Sequence, residues 1–136
     1  MQVFLDTNVF LYAAGASHPL RDACAKVLRR VAEGSLDATI NSEVIQEILY
    51  VLIRRGRRAE ALKLANDLIS LFPDLLAVTR DEMLSASELL QEYPALSVRD
   101  AVHVGTMLRN GLRTVVSTDA DFDQVSEIRR IEPAGV

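Results

Sequence analysis

A few carboxylates in this 136-residue chain stand where local patterning does not require them. Asp6 interrupts an apolar run: Val3, Phe4 and Leu5 lead into Asp6, Thr7 and Asn8, after which Val9, Phe10, Leu11 and Tyr12 resume it. Taken alone, this is a helix N-cap or an Asx turn, which Asp, Thr and Asn all favour. In SEVIQEILYVLI, a turn of about 100° per residue sets Glu47 at the margin of the apolar stripe, between Val44 and Val51. Glu43 falls opposite that stripe and reads as a solvated first-turn acid favoured by the helix dipole. Asp100, in LSVRDAVHVGTML, follows Ser97 at capping-box distance, and Ala101 and Val104 permit it to point inward. The stretch VVSTDADFD closes the set with Asp119 and its rival Asp121.

Each of these acids has an ordinary local explanation, so convergence is what would give them chemistry. Like charges held close together raise one another's pKa and cost several kcal/mol unless something neutralises them. A divalent cation does so, and a donor set of oxygens without His or Cys points to Mg²⁺ or Mn²⁺ rather than zinc. Such an ion keeps open positions for water and phosphate, which suits phosphodiester hydrolysis.

The elements around the acids decide whether they can meet. Val3 to Leu5, Ala38 to Ile40, Leu75 to Val78, Thr114 to Ser117 and Ile128 to Ile131 read as short strands. Between them lie helical stretches: one ending near Gly15, one from His18-Pro19 to Gly34, one capped by Ser42 and stopped by Gly56, and one from Ala59 to Leu71. Two more run from Asp81 to Glu92 and from Ser97 to Asn110-Gly111. Strands separated by helices, without hairpin signals, imply a parallel sheet between helix layers, with ligands beyond the carboxyl ends of the strands. Asp6 and Asp119 both stand at such ends.

Composition narrows the class. Residues 1–136, with 49% hydrophobic content, fit one globular domain. Nineteen acidic against fifteen basic residues give a formal charge of −4 and exclude a polycationic mode of nucleic-acid binding. The cations are nonetheless arginine, apart from Lys26 and Lys63, and Arg54, Arg55, Arg57 and Arg58 cluster. Cys24 is the only cysteine and reads as a core residue, so a disulfide or cysteine-based metal framework is excluded. No stretch approaches the roughly 18 apolar residues of a membrane span, and the chain reads as a soluble cytoplasmic protein.

The order and separation of LDTNVFLY, a Glu in the Ser-initiated apolar helix, SVRDAVHV and VVSTDADFDQV resemble the PIN-domain nucleases. The chain looks most similar to the small VapC-like toxins of toxin-antitoxin pairs. The resemblance spans essentially the whole chain. It implies a three-layer α/β/α sandwich with a parallel sheet of about five strands, and an Mg²⁺- or Mn²⁺-dependent endoribonuclease. It also implies a homodimer and a cognate antitoxin as partners, besides the RNA substrate. Matched position by position, Asp6, Glu47, Asp100 and Asp119 are the four catalytic acids. Asp121 is an alternative metal ligand beside Asp6, Asp100 and Asp119. Thr7, Asn8 and Thr118 are supporting polar residues. Gly105-Thr106 departs from the Ala-rich helix usual at that point, which bears on packing rather than on the metal site.

Of the two histidines, His18 beside Pro19 reads as exposed, and His103, in an apolar run, as a packed residue rather than a catalyst. No G-x-x-x-x-G-K phosphate loop is present. The competing readings are a structure-specific DNA or RNA nuclease, a phosphoacceptor domain and an inert PIN-like scaffold. The phosphoacceptor lacks a lysine near a later strand end, because Lys26 and Lys63 fall on helices.

Overall fold

A computed structural model describes the whole chain, Met1–Val136. In order, it forms β1 (Val3–Leu5), α1 (Thr7–Ala14), α2 (Arg21–Ala32), β2 (Ala38–Thr39), α3 (Ser42–Arg54), α4 (Arg58–Leu71), α5 (Arg80–Glu92), α6 (Val98–Arg109), β3 (Thr114–Val116) and β4 (Arg129–Ile131). Short 3-10 helices follow β3 and β4, at Ala120–Gln124 and Pro133–Gly135. The strands are all parallel and lie in the order β2-β1-β3-β4. Phe4 stands against both Thr39 and Val115, and Val116 against both Leu5 and Ile131. Every residue of β1 and β3 is buried, as two-sided cover of a parallel sheet demands. The edge strand β4 carries Arg129 and Arg130, charges suited to an unpaired border.

The expected α/β architecture is present, with four strands rather than about five. Leu75–Val78 contributes a single parallel bridge, Leu76 to Asn41. The Leu76 amide donates to Ile40 O, and Leu76 O accepts from the Ser42 amide, each at 2.9 Å. The ladder stops there because its partner β2 is two residues long and the chain turns into α3 at Ser42. The cap of α3 also differs from expectation. Asn41 is the N-cap, its Oδ1 accepting from the Val44 amide at 3.0 Å, while Ser42 Oγ accepts from the Val78 amide at 3.1 Å. An extended Asn supplies the cap as readily as Ser, and Ser42 instead ties the incoming Leu75–Val78 segment to the helix.

Strand order creates the place for a site. From β1 the chain moves outward to β2, then returns past β1 to β3 and continues to β4. Right-handed parallel connections that step in opposite directions return over opposite faces of the sheet, which yields the layers. The reversal falls between β1 and β3, and a crevice opens beyond their carboxyl ends. Asp6 follows β1 directly, and Ser117 follows β3.

The core beneath that crevice contains Phe4, Phe10, Ile48, Met107 and Phe122, all fully buried. Cys24 is part of it, and burial pushes its thiol up to about 11. Gly105 explains the departure in α6. A Cβ there would sit 2.9 Å from Glu82 O and 3.1 Å from the Ala86 amide nitrogen, so α5 and α6 touch backbone to backbone. Beside it, Thr106 Oγ1 donates to Val102 O at 2.8 Å and accepts from Asn41 Nδ2 at 3.0 Å, linking the cap of α3 to α6 inside the core.

Candidate active site

Asp6 is extended, with φ −72° and ψ 152°, and caps α1, its Oδ1 accepting from the Thr7 amide at 2.8 Å. Its own amide donates to Val116 O at 3.0 Å, so the cap is anchored in the sheet. Ser117 takes the other carboxylate oxygen: its Oγ donates to Asp6 Oδ2 at 2.6 Å and accepts from the Asp119 amide at 3.0 Å. One fully buried hydroxyl thus joins the ends of the two central strands. Burial pushes the Asp6 carboxyl above its ordinary range and Glu47 adds to the rise, against the opposing pull of His103 and the Ser117 hydrogen bond.

Glu47 and His103 lie deeper. The α3 helix buries Glu47 along with Val44, Ile48 and Leu52, so the apolar stripe carries this acid inward as the helical wheel requires. Its Oε1 is 2.7 Å from His103 Nε2, which is 3.8 Å from Asp6 Oδ1. The 2.7 Å contact pairs the ring with the Glu47 carboxylate inside the core, while the other ring nitrogen, Nδ1, is buried without a hydrogen-bond partner. His103 is packed, as expected, with its ring centroid 5.3 Å from that of Phe4, but its surroundings are acidic as well as apolar. Burial opposes its charged form; Glu47, Asp6 and Asp100 outweigh that and raise its pKa. Glu43 departs from expectation: it is half-buried, and burial together with the Glu47 charge raises its carboxyl.

The outer acids come from α6 and the loop after β3. Ser97 caps α6, its Oγ accepting from the Asp100 amide at 3.1 Å, which leaves the Asp100 side chain free to face the crevice. Burial, then the charges of Asp6 and Asp119, push its carboxyl up to about 7. Asp119 Oδ1 accepts from the Asp121 amide at 2.9 Å and starts the 3-10 helix that turns Asp121 back toward it. Single carboxylate oxygens of Asp100, Asp119 and Asp121 lie within 4.8 Å of one another.

These side chains line one cleft of about 220 Å³, shared by Asp6, Thr7, Asn8, Glu47, Asp100, Asp119 and Asp121. Thr7 Oγ1 and Asn8 Oδ1 are buried without a hydrogen-bond partner. Three carboxylates within reach of one ion, with unpartnered neutral oxygens nearby, fit a hard divalent cation. Asp6 belongs to the cleft but not to that tight group of three. Thr118 is half-exposed and outside the lining; the hydroxyl at the strand end is that of Ser117.

Residues 3–128 match the PIN domain family. The chain belongs to that family. Ribonuclease VapC13 of Mycobacterium tuberculosis is 31% identical over 130 residues, covering 95% of this chain and 98% of that protein. Among solved structures, VapBC2 from Rickettsia felis, bound to a DNA fragment from their promoter, matches with a TM-score of 0.76 at 18% identity, covering 97% of this chain and 98% of that one. A toxin-antitoxin complex from Klebsiella pneumoniae matches with a TM-score of 0.69 at 15% identity, covering 98% and 99%. In this PIN domain, the acids expected from sequence share one cleft, whereas Ser117 and the acidic setting of His103 were not anticipated. A cue to Ser117 was present: its hydroxyl, two residues before Asp119, fits a hydroxyl-x-Asp-x-Asp-Phe pattern better than Thr118 does.

Proposed function

We propose that this PIN domain, residues 1–136 acting as one unit, is a divalent-metal-dependent endoribonuclease and the toxin of a VapBC-like pair. The observation that carries the reading is the convergence of Asp100, Asp119 and Asp121 at the strand-order reversal, with one carboxylate oxygen of each within 4.8 Å of the others. The ribonuclease relative at 31% identity supports RNA as substrate.

In this reading, Asp100, Asp119 and Asp121 hold the ion, with Thr7 and Asn8 offering neutral oxygens beside it. When bound, Mg²⁺ or Mn²⁺ would polarise a phosphoryl oxygen and lower the pKa of water. Ser117 and the Thr7 amide fix the direction of Asp6, and His103 fixes Glu47. Water attacks phosphorus in line and gives a proton to a cleft carboxylate. The new O–P bond forms as the P–O3′ bond breaks, and the departing O3′ takes a proton from solvent, leaving a 5′-phosphate and a 3′-hydroxyl. The raised carboxyl of Asp6, which lies in the cleft outside the group of three, suits the acceptor of the attacking water's proton.

The proposed partner is an antitoxin, in keeping with the fold shared with a toxin-antitoxin complex, and the acidic lining of the cleft suits a basic side chain inserted from it. Homodimerisation through the apolar helices after Ser42 completes the proposed assembly. The test is cleavage of a mixed RNA pool by purified protein with Mg²⁺, Mn²⁺ or EDTA, comparing wild type with Asp6→Asn and Asp100→Asn. Metal-dependent cutting lost in both folded variants is expected. A folded wild type that cuts no RNA with either ion, or variants that cut equally well, defeats the nuclease reading.

A further inference from the structure

The cleft poses an electrostatic difficulty for an RNA substrate, because Asp6, Glu47, Asp100, Asp119 and Asp121 line it and a polyanion must enter it. One cation stands among the lining residues: Arg99, adjacent to Asp100 on α6. Its guanidinium carbon lies 5.2 Å from the centroid of the Tyr50 ring on α3. Arg54, one turn further along α3, lies 5.6 Å from the same centroid and donates from Nη1 to the Tyr50 hydroxyl at 3.3 Å. Two guanidiniums from two helices therefore share one aromatic ring, and one of them, Arg99, lines the cleft.

Two features fit this cluster to a nucleic-acid strand: the place of Arg99 in the cleft and the exposure of the Tyr50 ring. Some arginines elsewhere on the chain are held by carboxylates, such as Arg57 by Glu60 and Arg130 by Asp123 and Glu132, while others, such as Arg55, Arg58 and Arg129, form no ion pair. Arg54 and Arg99 are among the arginines outside the chain's ion pairs, and of these Arg99 alone lines the cleft, where its charge meets the acids and whatever enters. Tyr50 is also 44% exposed, a large ring kept in solvent and pre-arranged by its neighbours. Unpaired guanidiniums suit phosphate, and exposed aromatic and guanidinium planes suit unstacked bases.

We infer that Arg99, Tyr50 and Arg54 form a seat for single-stranded RNA beside the acidic cleft, with Arg99 binding a phosphate next to the scissile one and Tyr50 stacking an adjacent base. This rests on the ribonuclease reading and adds where the strand is gripped and why it must be single-stranded. Bases paired in an A-form duplex stay stacked and cannot reach the ring. Arg99 offsets the repulsion of the acids at the point where the backbone enters, and Tyr50 holds Arg99 in place without neutralising it.

The test measures binding of a fluorescent single-stranded RNA by anisotropy, across a salt series, to the cleavage-deficient Asp100→Asn protein. In that background Arg99→Ala is expected to weaken binding about tenfold and flatten the salt dependence by about 0.7, the loss of one phosphate contact. Tyr50→Ala is expected to weaken binding about fivefold or more, whereas Tyr50→Phe, which keeps the ring, stays within about twofold. Duplex RNA of the same sequence should bind more weakly and respond little to either change. With Asp100 intact, Arg99→Ala should raise KM about tenfold and leave kcat within about threefold. Thermal melts check that each variant is folded. An Arg99→Ala protein with unaltered affinity and salt slope overturns the inference, as does one whose subunit assembly changes while RNA affinity per chain does not. If wild type cuts RNA in either case, the ribonuclease reading stands and the seat alone is wrong; if wild type neither binds nor cuts RNA, both fail.

Discussion

The cleft has two halves built on different principles. In the inner half, Asp6 has an oxygen on the Thr7 amide and another on Ser117, and Glu47 lies against His103. In the outer half, Asp100, Asp119 and Asp121 converge without an ion pair to any of the three, and Asp121 is exposed. The inner acids are part of the folded structure and hold its geometry. The outer acids are a standing electrostatic cost that a cation would relieve. A site of this kind is half scaffold and half receptor, and the two halves should respond differently to the same change of charge.

The largest expected effect lies in the outer half. Asp100→Asn should lower metal-dependent RNA cleavage on the order of 10³-fold, read in single-turnover assays. A drop smaller than about tenfold would place the reaction elsewhere. In the inner half, His103→Ala should cost about 3 kcal/mol of stability in urea unfolding at neutral pH, because it leaves Glu47 buried without its partner and opens a cavity. Unchanged stability would mean that the inner half is not scaffold.

Ser117→Ala should lower cleavage about 10- to 100-fold and stability by roughly 1–2 kcal/mol, since it frees an oxygen of Asp6 and the Asp119 amide together. A selective loss of stability with full activity would show that the two strand ends need no common tie.

A smaller effect follows from the protonation of Asp100. Its carboxyl titrates near 7 in the folded chain against an ordinary 3.8, so folding without metal favours the protonated form. The stability this group contributes is present below about pH 4 and is lost as pH rises through 7, by an amount on the order of 1–2 kcal/mol. Melts of metal-free protein should show that decline, and Asp100→Asn should flatten it. Metal affinity, measured by calorimetry, should run the other way and tighten up to about pH 7. The smallest change is expected for Asp121→Asn, about two- to tenfold in cleavage, because this acid is exposed and solvent screens it. Loss equal to that of Asp100→Asn would make the outer half a group of equal ligands.

Much of this was legible in local pattern. The helical wheel of α3 placed Glu47 inward, and alternation of strands with helices put Asp6 and Asp119 at the same end of the sheet. What the sequence does not display is pairing at a distance. Ser117 and Asp6 are 111 positions apart, and the bond between them appears only when β1 and β3 become neighbours. His103 reads as packed from its own helix because the two acids within 4 Å of its ring, Glu47 and Asp6, arrive from α3 and the end of β1. Leu75–Val78 has strand composition, yet its length of pairing was decided by the two residues of β2. Asn41 took the cap expected of Ser42 because both precede the same apolar run, and only contact with Val78 assigns Ser42 another role.

Gly105 carries a consequence for the history of this chain. At the point where α5 and α6 meet, backbone lies against backbone, so even one added methyl at position 105 would press on Glu82 O. Drift at that position is therefore blocked unless α5 shifts in the same variant. Because α6 also carries Asp100, five residues before Gly105, such a shift would reset the depth of that acid in the cleft. Two apparently neutral surfaces, one on each helix, are thereby bound to change together, and laboratory evolution that admits Gly105→Ala should recover compensating substitutions around Glu82, Ser85 and Ala86 before it recovers activity.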